Sequence, residues 1–219
     1  MIQKTILVSS SRQNSSFARN LLIKKENIEY SFQEFTPEEP GVKRYFDLKR
    51  CQGSYIVKVS SNLIMDWLEF SDENDIVVLE QRDLLEAFTS WVLAKSVPPK
   101  YRNTKKFFTQ RYKVENQKQS SEHIKKVYND YLLHYESMSK FSKYMYSNKN
   151  VRLRFLPQTT LANYSLEWKG VEKIWDSVDQ KLEYISDQQL LFDCIEELKP
   201  LHNRCVNELS ILDYDEIIL

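Results

Sequence analysis

The sequence predicts an α/β protein: a mainly parallel, three-layer α/β/α sheet with a mostly helical C-terminal part. Three observations carry that expectation. The apolar runs at 5–10, 55–59 and 76–79 are short and near-continuous rather than alternating, as in strands covered on both faces. The first and third pass directly into segments with helical apolar spacing. Strand and helix then alternate with little linker, the pattern of strands joined by crossover helices. The chain is expected to be a single domain, 1–219, with a core at 1–100 and a helical part at 101–219 that adds a fifth strand near 151–155.

Each element has its own reason. Residues 5–10, TILVSS, form a buried first strand, and 15–25 the helix after it. Residues 28–35, IEYSFQEF, alternate and read as a second strand. The stretch 36–41, TPEEPG, is a turn or loop. Residues 55–59 form a third strand, followed by a short helix around 62–70. Residues 76–79 form a fourth strand, and 82–95 its helix, ended by Pro98 and Pro99. Leu84, Leu85, Phe88, Trp91 and Val92 give that helix an apolar stripe, with Ser90 off it and facing something polar. Basic residues 105–118 read as a loop over the site; Lys105, Lys106, Arg111 and Lys113 are expected to be solvated. Residues 122–146 form a long helix in which Ile124, Val127, Tyr131, Tyr135, Met138, Phe141 and Met145 follow helical spacing. Tyr128, Tyr131 and Tyr135 are read as helix packing. Residues 151–155 form a fifth strand, and 188–208 a helix interrupted at Pro200. There is no internal repeat.

Composition narrows the function classes. Lys+Arg and Asp+Glu balance at 31 each, so general nucleic-acid binding has no electrostatic basis. Three cysteines, Cys51, Cys194 and Cys205, show neither a CxxC pair nor a metal spacing, which suits a reducing compartment. The start, MIQKTILVSSS, is too short in its apolar run for a signal peptide. No run approaches a membrane span. The expectation is a soluble cytoplasmic protein without a bound metal. His123, His134 and His202 are read as surface or partly buried residues rather than bases. Lys, Asn and Tyr are abundant, as in proteins of A+T-rich genomes, phage among them.

Ligands of parallel sheets bind outside the carboxyl ends of the strands. There the candidate residues converge. Ser10, Ser11, Arg12, Gln13, Asn14, Ser15 and Ser16 follow strand one at a helix start, where unpaired N–H groups and the helix dipole favour anions. Arg12 offers a forked guanidinium, and Ser15 or Ser16 a helix cap. Lys58 closes strand three. Arg82 stands after strand four, with Ser90 eight residues on. Two anion-binding places on one rim suggest a nucleotide with phosphates at two positions. With only three glycines in the chain, the first loop works largely without them.

These residues resemble the sulfotransferases that use 3′-phosphoadenosine-5′-phosphosulfate (PAPS), especially small bacterial and phage members. That family binds the 5′-phosphosulfate with a Lys/Arg-Ser-Gly-[ST]-[ST] core after a strand. Arg12-Gln13-Asn14-Ser15-Ser16 matches it at Arg12, Ser15 and Ser16 and departs at Gln13 and Asn14. Asn tolerates left-handed backbone better than most residues. The family's 3′-phosphate motif, Arg-x7-Ser at a strand-to-helix junction, is matched by Arg82 and Ser90. Its Lys-Thr-His motif is matched at Lys58, whereas position 60 holds Ser in place of the His that one branch uses as base. Other branches use a Glu after the first helix. Glu34 fits that position, with Glu38 and Glu39 as competitors. The resemblance covers about residues 1–96, with a weak late echo in Lys169-Gly170. It implies a P-loop NTPase-like fold, PAPS as co-substrate and no metal. The partner would be a hydroxyl acceptor on a carbohydrate, lipid or small metabolite.

In that reading Arg12 and Lys58 neutralise charge on the transferring group, and Glu34 is the general base. Two other classes stay open: another P-loop enzyme such as a kinase, and a non-catalytic degenerate member acting through protein contacts. The absence of GxxxxGK[ST] argues against an ordinary ATPase or GTPase.

Overall fold

The run Ile6-Leu7-Val8 has no polar side chain to turn toward water, so both its faces must be covered. In the computed structural model it lies at the centre of a sheet. The structure describes residues 4–9, 15–32, 51–65, 75–95, 121–148, 151–165, 177–215 and 217. β1 (Lys4–Ser9) pairs with β3 (Tyr55–Ser60) on one side and β4 (Asp75–Leu79) on the other. β2 (Tyr30–Phe32) extends the sheet beyond β3, and β5 (Leu153–Leu156) beyond β4. The order is β2-β3-β1-β4-β5, and every pairing is parallel. The predicted α/β class and parallel sheet are present.

The helices among the described residues are α1 (Ser15–Glu26), α2 (Leu84–Lys95), α3 (Ser121–Ser147), α4 (Gln158–Ser165), α5 (Val178–Leu182) and α6 (Gln188–Ser210). Successive strand residues face opposite ways, and the core divides accordingly. Ile6, Val8, Val57, Val59, Ile76 and Val78 meet Phe88 and Val92 of α2, Val127 and Tyr131 of α3, and Leu191 and Leu198 of α6. Leu7, Ile56, Val77, Leu79 and Leu156 meet Ala18, Leu21 and Leu22 of α1 and Leu161 of α4. Helices therefore contribute to both faces. Each fully buried aliphatic side chain contributes about 1.5–3 kcal/mol, so the continuity of the strands sets where the chain folds. The expected packing role of Tyr128, Tyr131 and Tyr135 is present on the first face.

Three expectations are corrected. The helix predicted to start at 82 starts at Leu84, because Asp83 caps it: Asp83 Oδ1 accepts from Glu86 N at 2.9 Å. The second strand starts at Tyr30 rather than 28. Asn27 takes a left-handed φ of 51°, and Ile28 N donates to Ile23 O at 3.1 Å, closing α1 with a Schellman turn. The third correction is at Pro200, where α6 runs through without interruption. Its buried stripe, Leu191, Cys194, Ile195, Leu198, Cys205 and Leu209, continues on both sides of the proline, and that packing outweighs the missing N–H. Pro98 and Pro99 lie outside the described residues.

Candidate functional site

The sheet order fixes where a ligand would lie. From β1 the chain crosses to β2 at one edge; from β4 it goes to β5 at the other. Adjacent strands whose connections leave in opposite directions open a crevice at their carboxyl ends. Here that crevice lies between β1 and β4. Ser9 ends β1, Ser60 ends β3 opposite it, and Lys58 pairs with Leu7. Lys58 and Ser60 are partly buried. The Ser9 hydroxyl is buried with no hydrogen-bond partner among the described residues.

The residues after β4, Glu80-Gln81-Arg82-Asp83, each take a separate task. The Glu80 carboxylate accepts from Gln158 N at 2.7 Å, holding the start of α4, where negative charge is favoured. Gln81 Oε1 accepts from His134 Nε2 at 3.0 Å. The Arg82 guanidinium donates to the Glu86 carboxylate. Asp83 caps α2.

Glu86 and Ser90 lie one turn apart on one face of α2, and Arg82, just before the helix, extends that row through its bond to Glu86. Lys181 of α5 reaches the same row. Its Nζ donates to Ser90 Oγ at 3.1 Å and lies 3.6 Å from Glu86 Oε1. The predicted polar neighbour of Ser90 is thus a lysine of this chain, and Ser90 is only 8% exposed. The Glu86 side chain is 38% exposed and that of Arg82 16%.

His134 departs from its expected surface or partly buried place: it is buried on α3. Nδ1 is 2.6 Å from Ser61 Oγ, in the short 3-10 turn Ser61–Leu63 after β3. Gln81 Oε1 can only accept, so Nε2 carries the ring proton and Ser61 Oγ donates to Nδ1. Burial, and secondarily His202, push the imidazole down to about 3, so it is neutral. The ring ties the rim after β3 to the rim after β4, across the end of β1.

Of the predicted site residues, Arg82 follows the carboxyl end of β4, Lys58 lies within β3, and Ser90 lies in the middle of α2. Ser15 and Ser16 are the first two residues of α1, Ser15 buried and Ser16 exposed. The cap position of α1 therefore falls before Ser15, outside the described residues. Ser10, Ser11, Arg12, Gln13 and Asn14 also lie outside them, as do Glu34, Glu38, Glu39, the basic run 105–118 and Lys169-Gly170. Sequence reasoning missed Glu86, Lys181 and the Ser61–His134–Gln81 chain. The four-residue spacing of 82, 86 and 90 is visible in the sequence, and His134 lies on the apolar stripe of α3 with Val127, Tyr131 and Met138. Nothing in the sequence points to Lys181.

A cavity of about 400 Å³ lies between α3 and α6, lined by Leu132, Glu136, Lys140 and Arg204 among others; it includes none of the predicted site residues. Among the described residues there is no cluster of metal-ligating side chains, and no helix is long and apolar enough to cross a membrane. Comparison of the chain with protein-family models, curated proteins and solved structures gives no match.

Proposed function

We propose that this protein is a PAPS-dependent sulfotransferase with a three-layer, P-loop NTPase-like fold, acting in the cytoplasm on a carbohydrate, lipid or small-molecule hydroxyl. One observation carries the reading. The Arg82–Glu86–Ser90 row begins just after the carboxyl end of β4, and its own carboxylate sits between the cationic groups of Arg82 and Lys181. A place that accommodates a carboxylate there has the chemistry to take a phosphate. The Ser9 hydroxyl, buried at the end of β1 with no hydrogen-bond partner among the described residues, supports a second polar locus on the same rim.

PAPS supplies the activated sulfuryl group. In the transfer, the acceptor oxygen forms a bond to sulfur as the bond from sulfur to the phosphate oxygen breaks in line. The acceptor proton passes to a carboxylate, assigned to Glu34 with Glu38 and Glu39 as alternatives, and adenosine 3′,5′-bisphosphate leaves. Arg12 and Lys58 balance the charge on the equatorial and leaving oxygens, and Arg82 and Ser90 hold the 3′-phosphate. As in phosphoryl transfer, positioning and electrostatics supply most of the rate, and the base a further factor of about 10²–10⁴.

The test is calorimetric titration with adenosine 3′,5′-bisphosphate, against AMP and ATP–Mg. Micromolar binding that AMP does not reproduce, abolished by Arg82→Ala, is expected. Preference for ATP–Mg would replace this reading with a kinase-like one. Absence of binding to all three would leave a non-catalytic fold and remove the roles of Arg12, Lys58 and Glu34.

A further inference from the structure

We infer that Glu86 is a resident anion in the 3′-phosphate subsite, displaced when the nucleotide binds, and that Lys181 then becomes a third phosphate ligand beside Arg82 and Ser90. The inference rests on the sulfotransferase reading and adds two residues to it.

The geometry leaves little choice of place. Glu86 and Ser90 lie one turn apart on one face of α2, and Arg82, which precedes the helix, is bonded to Glu86. A phosphate bridging Arg82 and Ser90 occupies the space where the Glu86 carboxylate now sits. That carboxylate engages Arg82 and has the Lys181 ammonium at 3.6 Å. Lys181 is bound to the same Ser90 hydroxyl that the phosphate would use, at 3.1 Å. The surroundings also differ in freedom. Lys181 and Ser90 are 9% and 8% exposed, held by packing between α2 and α5. The Glu86 side chain is 38% exposed and has a way out into solvent.

Charge gives the same answer. Arg82 and Lys181 carry two positive charges and Glu86 one negative, so the row is +1 with its carboxylate in place. With Glu86 turned out it presents two cations to a phosphate that carries close to two negative charges. The carboxylate keeps two neighbouring cations from repelling each other in the empty site. Its expulsion opposes binding, so the site favours ligands whose charge exceeds that of one carboxylate. An adenine nucleotide seated in the same way but lacking a 3′-phosphate places no phosphate against Glu86.

The experiment is titration of the full chain with adenosine 3′,5′-bisphosphate and with AMP, for wild type, Glu86→Gln and Lys181→Met. Glu86→Gln keeps the side chain's size and removes its charge. It is expected to tighten bisphosphate binding about 5- to 10-fold and leave AMP unchanged. Lys181→Met is expected to weaken bisphosphate binding about 10- to 100-fold, the loss of one charge-assisted hydrogen bond. Bisphosphate affinity that is unchanged or weaker in Glu86→Gln overturns the resident-anion role. Unchanged affinity in Lys181→Met overturns the ligand role. Should circular dichroism show that Lys181→Met does not fold, Glu86→Gln and Lys181→Arg, which keeps the charge and is expected to retain binding, decide the matter. A wild-type chain that does not prefer bisphosphate to AMP overturns the sulfotransferase reading itself, and this outcome is separate from a wild type that binds while its variants do not respond.

Discussion

His134 Nδ1 accepts a hydrogen bond from Ser61 Oγ at 2.6 Å, inside the protein, with Gln81 fixing the other ring nitrogen at 3.0 Å. The third member is a neutral amide, so nothing in this chain compensates an imidazolium. Burial first, and then His202, push His134 down to about 3 from 6.5. His202, half-buried and bonded to Tyr135, is lowered too, by its own burial. The unfolded chain therefore binds protons that the fold excludes between these values. Stability is full above about 6.5 and is lost as pH falls toward 3. Between pH 6.5 and 5, His134 alone is expected to remove about 2 kcal/mol, readable as the shift in urea midpoint at constant slope. His134→Gln should be less stable than wild type at pH 7.5, by about 1–3 kcal/mol for the unsatisfied partners, with the gap narrowing by pH 5. Parallel pH dependences in the two proteins would mean that the ring is not the proton-excluding group.

Arg154 marks the opposite end of the sheet. Its guanidinium lies 2.5 and 3.3 Å from the Glu26 carboxylate and 3.8 Å from Asp75, while Arg152 joins Asp75 and Asp215. Asp75 begins β4 and Glu26 ends α1, so this cluster lies at the amino ends of the strands. Arg154 is 5% exposed. Arg154→Met leaves two carboxylates without their buried partner and is expected to cost about 3–5 kcal/mol. Bisphosphate affinity of the folded variant should equal that of wild type. A variant as stable as wild type would show that Arg152 alone neutralises the cluster.

The strands were legible because they must be buried on both faces. Ile6–Val8 and Ile76–Leu79 leave no polar edge, and each was placed within a residue or two. The helix α3 was legible for the same reason, in its 3.6-residue stripe. Ends set by single polar residues were not. Asp83 moved the start of α2, and Asn27 delayed β2, because local capping bonds compete with periodicity. Pro200 misled because a missing backbone bond weighs less than six buried side chains. At the site, Arg82 and Ser90 were legible as a spacing across the junction of β4 and α2. Lys181 was not, since its meeting with Ser90 spans 91 residues of chain and depends on how α5 packs on α2. His134 carried its place on the apolar stripe, but its partners Ser61 and Gln81 come from two other loops.

The cysteines should differ sharply in reactivity. Cys205, on α6, is buried in the core, and burial pushes its thiol up to about 12; Cys194 is buried and raised as well. The thiolate is the reactive species, so both are shielded twice, by access and by protonation. Cys51 is only partly buried. Native protein treated with iodoacetamide at pH 8 is expected to carry one adduct, on Cys51, by peptide mass spectrometry. Equal labelling of all three would show that α6 opens from α3 and α2 on the labelling timescale.

Pro200 lies on the exposed face of α6, between the buried turns of Leu198 and Cys205. Having no N–H, it cannot donate to the Glu196 carbonyl, and its ring crowds that group. Solvent is available to the carbonyl on this face, which limits the cost. Proline in a helix interior is about 3 kcal/mol worse than alanine, while losing its ring frees the unfolded chain by up to about 1 kcal/mol. Pro200→Ala is therefore expected to stabilise the protein by about 2 kcal/mol, as a higher urea midpoint with unchanged slope. Bisphosphate affinity should not change, because position 200 lies on the exposed face of α6, outside the Arg82–Glu86–Ser90 row. A midpoint at or below that of wild type would show that the Pro200 ring itself contributes to the stability of α6.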